Sequence, residues 1–239
     1  MKTVFHQSET RGHADQGWLD TYHTFSFANY YDSERVHFGT LRVLNDDLIE
    51  AGKGFGMHPH DNMEIITIPL AGDLEHKDNM GNQAVIKEGD VQVMSAGTGV
   101  FHSEFNPNSD KDVNLLQIWV FPNKKNVQPR YDQISIRDVA KENEFYQILS
   151  PDPEAQGVWI HQNAWFSLGH FELGISAKYT LHDTNDNGIY AFIIDGEVNI
   201  NGQLLKKRDG LGISDISELE LISKTDSRVL LMEVPMKLK

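Results

Sequence analysis

The chain has 239 residues, 39% of them hydrophobic and 23% charged, and no cysteine. That length allows one large or two small cores, and the missing thiols exclude disulfides, cysteine-ligated zinc, iron–sulfur clusters and a thiol nucleophile. The formal charge of −14 should repel nucleic acid and anionic membrane surfaces, neither of which offers it a counter-charge.

Met1 to Thr10 has no apolar core and no small-residue cleavage site, so no leader is expected there. Short β runs then follow one another: Thr40–Leu44, Glu64–Leu70, Val91–Met94, Leu115–Phe121, Ile189–Ile194, Glu197–Ile200 and Val229–Val234. Each is rich in Val, Ile, Leu or aromatic residues. Turn signals separate them, among them Ala71-Gly72-Asp73, Glu88-Gly89-Asp90, Asp195-Gly196 and Asn201-Gly202. Asn45-Asp46-Asp47 reads as a solvated turn, because the spacing of a calcium loop is missing. The aromatic stretches His23 to Phe27 and Tyr30-Tyr31 read as a packed strand and turn. The best helix candidate is short, Ile136 to Lys141. The longest apolar stretches are about six residues, as at Ile189 to Ile194, whereas a spanning helix needs about 20. The expectation is a soluble, cytoplasmic, all-β protein of the sandwich or barrel type.

The chain repeats itself. Glu64 to Asp73 is an apolar strand ending in Ala-Gly-Asp, and Gly188 to Glu197 is another ending in Asp-Gly-Glu. Gly81 and Gly89 in the first copy have the spacing of Gly202 and Gly210 in the second. Two similar β units are expected, 1–130 and 131–239, with a linker near Pro122 to Tyr131.

Eleven histidines are present, most of which read as surface or hydrogen-bonded core residues. His58-Pro59-His60 differs from the rest. On an extended segment, positions i and i+2 project from one face, so both imidazoles can converge on one ion. His102-Ser103-Glu104 repeats that spacing on a second predicted strand. Three neutral imidazoles and a carboxylate form a mixed nitrogen and oxygen set for a divalent first-row metal. Glu64 becomes a fifth candidate if its strand runs on regularly from His60. Glycine-rich bends, Gly52 to Gly56 and Gly97 to Gly99, precede both pairs. Phosphate-loop, dinucleotide and nucleophile-elbow motifs are absent.

These residues resemble the cupin motifs. Gly52-x5-His58-x-His60-x3-Glu64 followed by Gly72 is similar to the first, and Gly89-Asp90 through His102 to Asn106 to the second. Within the cupins the N-terminal half resembles the pirin family. The stretches that carry this are Arg11-Gly12-His13-Ala14, Trp18-Leu19-Asp20, His23 to Tyr30, Arg42 to Asp47, Asn62 to Ile65, Leu74 to Asp78, and Gln92 through Glu104. The shorter C-terminal half, with Trp159 and the Val198 to Gly202 hairpin, is similar to bacterial pirin-like proteins with quercetinase activity. Ser95, where a general cupin has proline, is also pirin-like.

The resemblance implies a bicupin, two jelly-roll barrels packed face to face, with one metal in the N-terminal barrel. It places the ligands on His58, His60, His102 and Glu104, with Glu64 just behind them. Iron is the expected metal, and nickel, manganese, cobalt, copper and zinc are alternatives. The second unit has no comparable pair, since His182 stands alone before its first strand, so that barrel is expected to bind no metal.

The implied reaction is cleavage of a flavonol such as quercetin by O2 with release of carbon monoxide. Glu104 would be the catalytic proton acceptor. Phe25, Phe27, Phe55 and Phe101 read first as core residues, and are also candidate walls for a small planar aromatic substrate. The competing reading is a metal-dependent regulator that binds a transcriptional or metabolic protein partner. A third, a cupin acting on a sugar or keto acid, would call on Arg42 or Lys53. A bicupin already pairs two barrels in one chain, so a monomer is expected.

Overall fold

A computed structural model describes residues 1–238. The first-half strands are β1 (Lys2–His6), β2 (Gly12–Asp15), β3 (Leu19–His23), β4 (Leu41–Ile49), β5 (Gly54–His60), β6 (Glu64–Ala71), β7 (Asp73–Asp78), β8 (Gln83–Lys87), β9 (Asp90–Ser95), β10 (Val100–Phe105) and β11 (Val113–Val120). The rest are β12 (Arg130–Ser135), β13 (Phe145–Ser150), β14 (Val158–Trp159), β15 (Trp165–Phe171), β16 (Ser176–Thr180), β17 (Asn187–Asp195), β18 (Val198–Ile200), β19 (Gln203–Leu205), β20 (Gly210–Ser214), β21 (Glu218–Ser223) and β22 (Ser227–Pro235).

Each unit is a sandwich of a seven-stranded and a four-stranded sheet. The first pairs β12-β9-β6-β11-β4-β3-β2 with β5-β10-β7-β8. The second pairs β1-β20-β17-β22-β15-β13-β14 with β16-β21-β18-β19. The two orders superimpose strand for strand over most of their length, so the internal repeat read from sequence is a structural repeat.

The expected boundary at 130/131 cuts through β12, which pairs with β9 of the first unit. In the opposite direction β1 crosses to pair with β20 of the second. Each large sheet thus borrows its edge strand from beyond the other side of that boundary, which covers an edge that would otherwise be open.

All seven predicted runs coincide with strands, with Thr40, Phe121 and Glu197 falling one residue outside. Two expectations need correction. Asn45-Asp46-Asp47 is no solvated turn but the buried middle of β4. The strand is buried on both faces, so its polar residues have partners on either side. Ile136 to Lys141 forms only one turn, in which the N–H groups of Val139 and Ala140 both bond to the Ile136 carbonyl. Ile136 is buried between the barrels, and the chain then turns toward β13.

Three kinds of interior result. Between the large sheets, Ile66, Ile68, Val93, Leu116 and Ile118 pack against Phe192, Leu230 and Met232 in one continuous core. The second barrel is filled by another, including Val198, Ile200, Leu219 and Leu221. Full burial of each such side chain contributes about 1.5–3 kcal/mol. The first barrel differs. Its apolar interior is split into two small clusters, Leu19, Ile49, Leu74, Ile86, Val113 and Leu115 at one end, and Ile65, Met94, Ala96 and Val100 at the other. Polar and histidine side chains occupy the gap.

Candidate metal centre

β5 and β10 are antiparallel neighbours, with His58 directly opposite His102. Gly54 permits their close approach, since a Cβ there would run into the Glu104 carbonyl and the Phe105 backbone. The ring centroids of His58 and His102 are 4.4 Å apart, those of His60 and His102 4.9 Å, and those of His58 and His60 5.0 Å. One nitrogen from each lies within 4.8 Å of the other two. A Glu104 oxygen is within the same distance of ring nitrogens of His76 and His102.

Burial keeps His60 and His102 neutral. Burial, reinforced by its neighbours His102 and His58, pulls the His60 pKa down to about 4. Burial and the neighbours His58 and His76 pull His102 down to about 3. A neutral imidazole keeps the lone pair that a cation needs.

Hydrogen bonds fix which nitrogen carries that lone pair. His58 Nδ1 donates to the Gly56 carbonyl at 2.7 Å, leaving Nε2 free. Asp78 accepts from Met80 N, Asn82 N and Asn82 Nδ2, and from His76 Nε2 at 3.1 Å. In a neutral ring this leaves His76 Nδ1 as an acceptor, and it faces His102 Nδ1 at 3.5 Å. His102 Nε2 is left buried with no partner among the described residues. An orphaned lone pair beside two more imidazoles is what a metal would satisfy. The residues therefore fit a divalent transition metal.

Glu104 is held from the other side. Gln117 Nε2 donates to both its oxygens at 3.0 Å, and Thr67 Oγ1 to one at 3.4 Å. The cluster sits in the wall of a cavity of about 810 Å³, whose lining includes Trp18, Phe27, Phe55, Gln117 and Trp119.

His76 was not predicted as part of the site. Its signal is the same i, i+2 spacing, in His76-x-Asp78. His76→Leu should remove the acceptor for His102 Nδ1 and weaken metal affinity about 10- to 100-fold. Competition against a chelator measures this, and an unchanged affinity would remove His76 from the account.

Glu64 is not where a regular strand would put it. Asn62 adopts a φ of +45°, the strand ends at His60, and β6 begins in the other sheet. Glu64 shares the parity of Ile66 and Ile68 and faces the second barrel. Its carboxyl meets Ser95 Oγ at 2.6 Å, and it is not among the residues lining the cavity. Burial pushes its pKa up to about 7, against the opposing pulls of Ser95, the His161 backbone and Arg130. The folded protein thus holds a proton that the unfolded chain releases near pH 4.5. Stability from this group is complete below that pH and is lost as pH rises through 7. Glu64→Gln should gain about 3 kcal/mol on the native protein between pH 5 and 8. Urea unfolding at both pH values checks this, and parallel profiles would contradict it.

Of the four phenylalanines, Phe27 and Phe55 line the cavity. Phe25 does not, being buried between the barrels with its ring 5.4 Å from that of Tyr190. Phe101 alternates with His102 on β10 and is 49% exposed on the outside. Arg42 bonds to the Ser26 and Val36 carbonyls, and neither it nor Lys53 lines the cavity. In the second barrel, the strand corresponding to β10 is β21, which carries buried Leu219 and Leu221.

Two jelly-roll units in one chain, the first with a histidine cluster able to hold a metal, define a bicupin. A profile described as Pirin matches residues 4–120, and one described as Quercetinase C-terminal cupin domain matches 147–234. The chain belongs to the pirin family. It is 42% identical over 230 residues to a protein of Escherichia coli K12 named quercetin 2,3-dioxygenase, covering 96% of this chain and 97% of that one. It is 35% identical over 223 residues to a pirin-like protein of Caulobacter vibrioides, covering 93% and 95%. A crystal structure of the bacterial pirin YhhW of E. coli in complex with nickel(II) superimposes with a TM-score of 0.92 at 39% identity, covering 98% of this chain and 99% of that one. Among the described residues no helix is long and apolar enough to cross a membrane.

Proposed function

We propose that the chain is a metal-dependent dioxygenase that opens a flavonol of the quercetin type with O2, giving a depside and carbon monoxide. His58, His60, His102 and Glu104 would hold the metal, with iron the expected occupant. When bound, the metal would supply a Lewis-acid centre for the flavonol 3-oxygen and lower the pKa of its hydroxyl.

The chain's own side chains do the rest. Glu104 accepts the proton of the 3-hydroxyl. Gln117, donating to both carboxylate oxygens, keeps Glu104 oriented for that transfer. Trp18, Phe27, Phe55 and Trp119 line the cavity, hold a planar substrate and exclude water from its reacting ring.

The observation that carries the reading is the union of the imidazole cluster with an aromatic-lined cavity of about 810 Å³. A metal-sensing regulator needs the cluster but not the cavity. An anionic sugar or keto acid would call for a cation in the lining, and Arg42 and Lys53 lie outside it. The name of the E. coli relative supports the same reading.

The test is aerobic loss of quercetin absorbance by preparations of graded metal content. A rate proportional to occupancy is expected. Full occupancy without turnover would overturn the proposal in favour of a regulator with a protein partner.

A further inference from the structure

The cavity holds a second set of polar groups away from the metal cluster. Strand register places Gln92, Thr67, Gln117, Asn45 and His23 in one row across β9, β6, β11, β4 and β3. Thr67 and Gln117 are accounted for, since they hold Glu104. Asn45 and His23, one and two strands further on, are only 3% exposed each. Asn45 Oδ1 and His23 Nδ1 have no hydrogen-bond partner among the described residues, and neither has Trp119 Nε1.

An aromatic chain runs beside this row. Trp119 lies 4.9 Å from the His60 ring and 5.4 Å from Phe27, and Phe27 lies 5.3 Å from His23. Tyr30 closes the far end. Its ring lies flat on Gly12, where a Cβ would collide with it, and it also lines the cavity. Both rows run from side chains that touch the metal cluster, Gln117 on Glu104 and Trp119 on His60, to His23. With strands about 4.8 Å apart, the two steps from Gln117 to His23 span roughly 10 Å, a length suited to a fused two-ring system carrying a pendant ring.

Eight buried side-chain polar atoms are unpartnered in the described residues, and four of them, on His23, Asn45, His102 and Trp119, belong to residues lining this one cavity. An unpaired buried polar group is destabilising, so this clustering points to a ligand. The orphan on His102 is explained by the metal. We propose that His23 and Asn45, together with the indole N–H of Trp119 on the side nearer His60, form a second anchor, which binds the pendant-ring hydroxyls of a planar polyhydroxylated aromatic whose other end lies at the imidazole cluster. A phenolic hydroxyl both donates and accepts. It can therefore donate to Asn45 Oδ1 and accept from Trp119 Nε1, with His23 serving in either role. The aromatic chain covers the ring faces between the two anchors. The inference rests on the flavonol reading and adds to it the feature that selects among flavonols.

The test compares quercetin with galangin, which keeps the 3-hydroxyl and 4-carbonyl but lacks hydroxyls on the pendant ring. Affinities are measured by calorimetry under nitrogen on metal-loaded protein, for the native chain, Asn45→Leu and Trp119→Phe. The native protein should bind quercetin at least about tenfold more tightly than galangin. Both variants should bring that ratio below about threefold, with metal content unchanged. Their melting temperatures should not fall, because the deleted groups lack partners in the free protein. Equal native affinities, or a ratio unmoved by the variants, would overturn the anchor and leave the flavonol reading standing. A lower melting temperature with both affinities weakened alike would show a merely structural role and also overturn it. Failure of the native protein to bind either flavonol would overturn the anchor and the flavonol reading together.

Discussion

His102→Ala should lose the metal. His102 is the centre of the cluster, within ring contact of His58, His60 and His76, and its Nε2 has no other use among the described residues. Its removal leaves two imidazoles on β5 and the Glu104 carboxylate, without the ring that stands between them, and affinity should fall by more than about a hundredfold. Stability gives an independent readout. A metal that binds only the folded state stabilises it by about 2.7 kcal/mol at a free concentration a hundred times Kd. Unfolding of the native protein should therefore respond to added metal, whereas His102→Ala should not respond at the same concentration. Stoichiometric metal retained by the variant would sink the ligand assignment.

The second large effect concerns the junction of the barrels. Asp46 lies on β4 with the opposite parity to Asn45 and Asp47. Its Oδ2 accepts from Arg11 Nη1 at 3.3 Å and from Arg208 Nε at 2.8 Å, and its Oδ1 from Asn114 Nδ2 at 3.0 Å. Arg208 comes from the second barrel, where it also bonds to the Ile194 carbonyl. The side chains of Asp46, Arg11 and Arg208 are 8%, 6% and 14% exposed, so solvent does little to screen them. Asp46→Ala leaves two buried guanidinium groups facing each other without a counter-ion. The expected loss is about 3–5 kcal/mol, or roughly 10 °C in melting temperature. Urea unfolding measures it. A loss below about 1 kcal/mol, the range of an exposed pair, would contradict a buried network joining the barrels.

The fold was legible because its signals are local. Strand runs, glycine turns and a repeated spacing all report on a few neighbouring residues, while the two-barrel arrangement was implied by the resemblance to the pirin family. The exchange of β1 and β12 was not legible, since nothing within an edge strand says which sheet it will join. The three histidines of the cluster were legible for the same local reason, as i, i+2 spacing on an extended segment fixes one face. Glu64 shows the limit of that argument. Counting parity from His60 holds only while the strand continues, and the left-handed turn at Asn62 resets it.

The misreading of Asn45 to Asp47 has a physical cause. Composition cannot distinguish a polar run in solvent from one in a strand buried on both sides. For the same reason an aromatic wall of the cavity, Phe27, could not be separated from an aromatic of the inter-barrel core, Phe25. His76 sits in a stretch that resembles the family, yet its role depends on meeting His102 from the neighbouring strand, which only the register reveals.

The most direct test of the proposed chemistry is detection of carbon monoxide during aerobic incubation with quercetin, using metal-analysed native protein and His102→Ala. The account predicts one carbon monoxide for each flavonol consumed by the native protein and none from the variant. Quercetin loss without carbon monoxide, or equal release from both proteins, would contradict it.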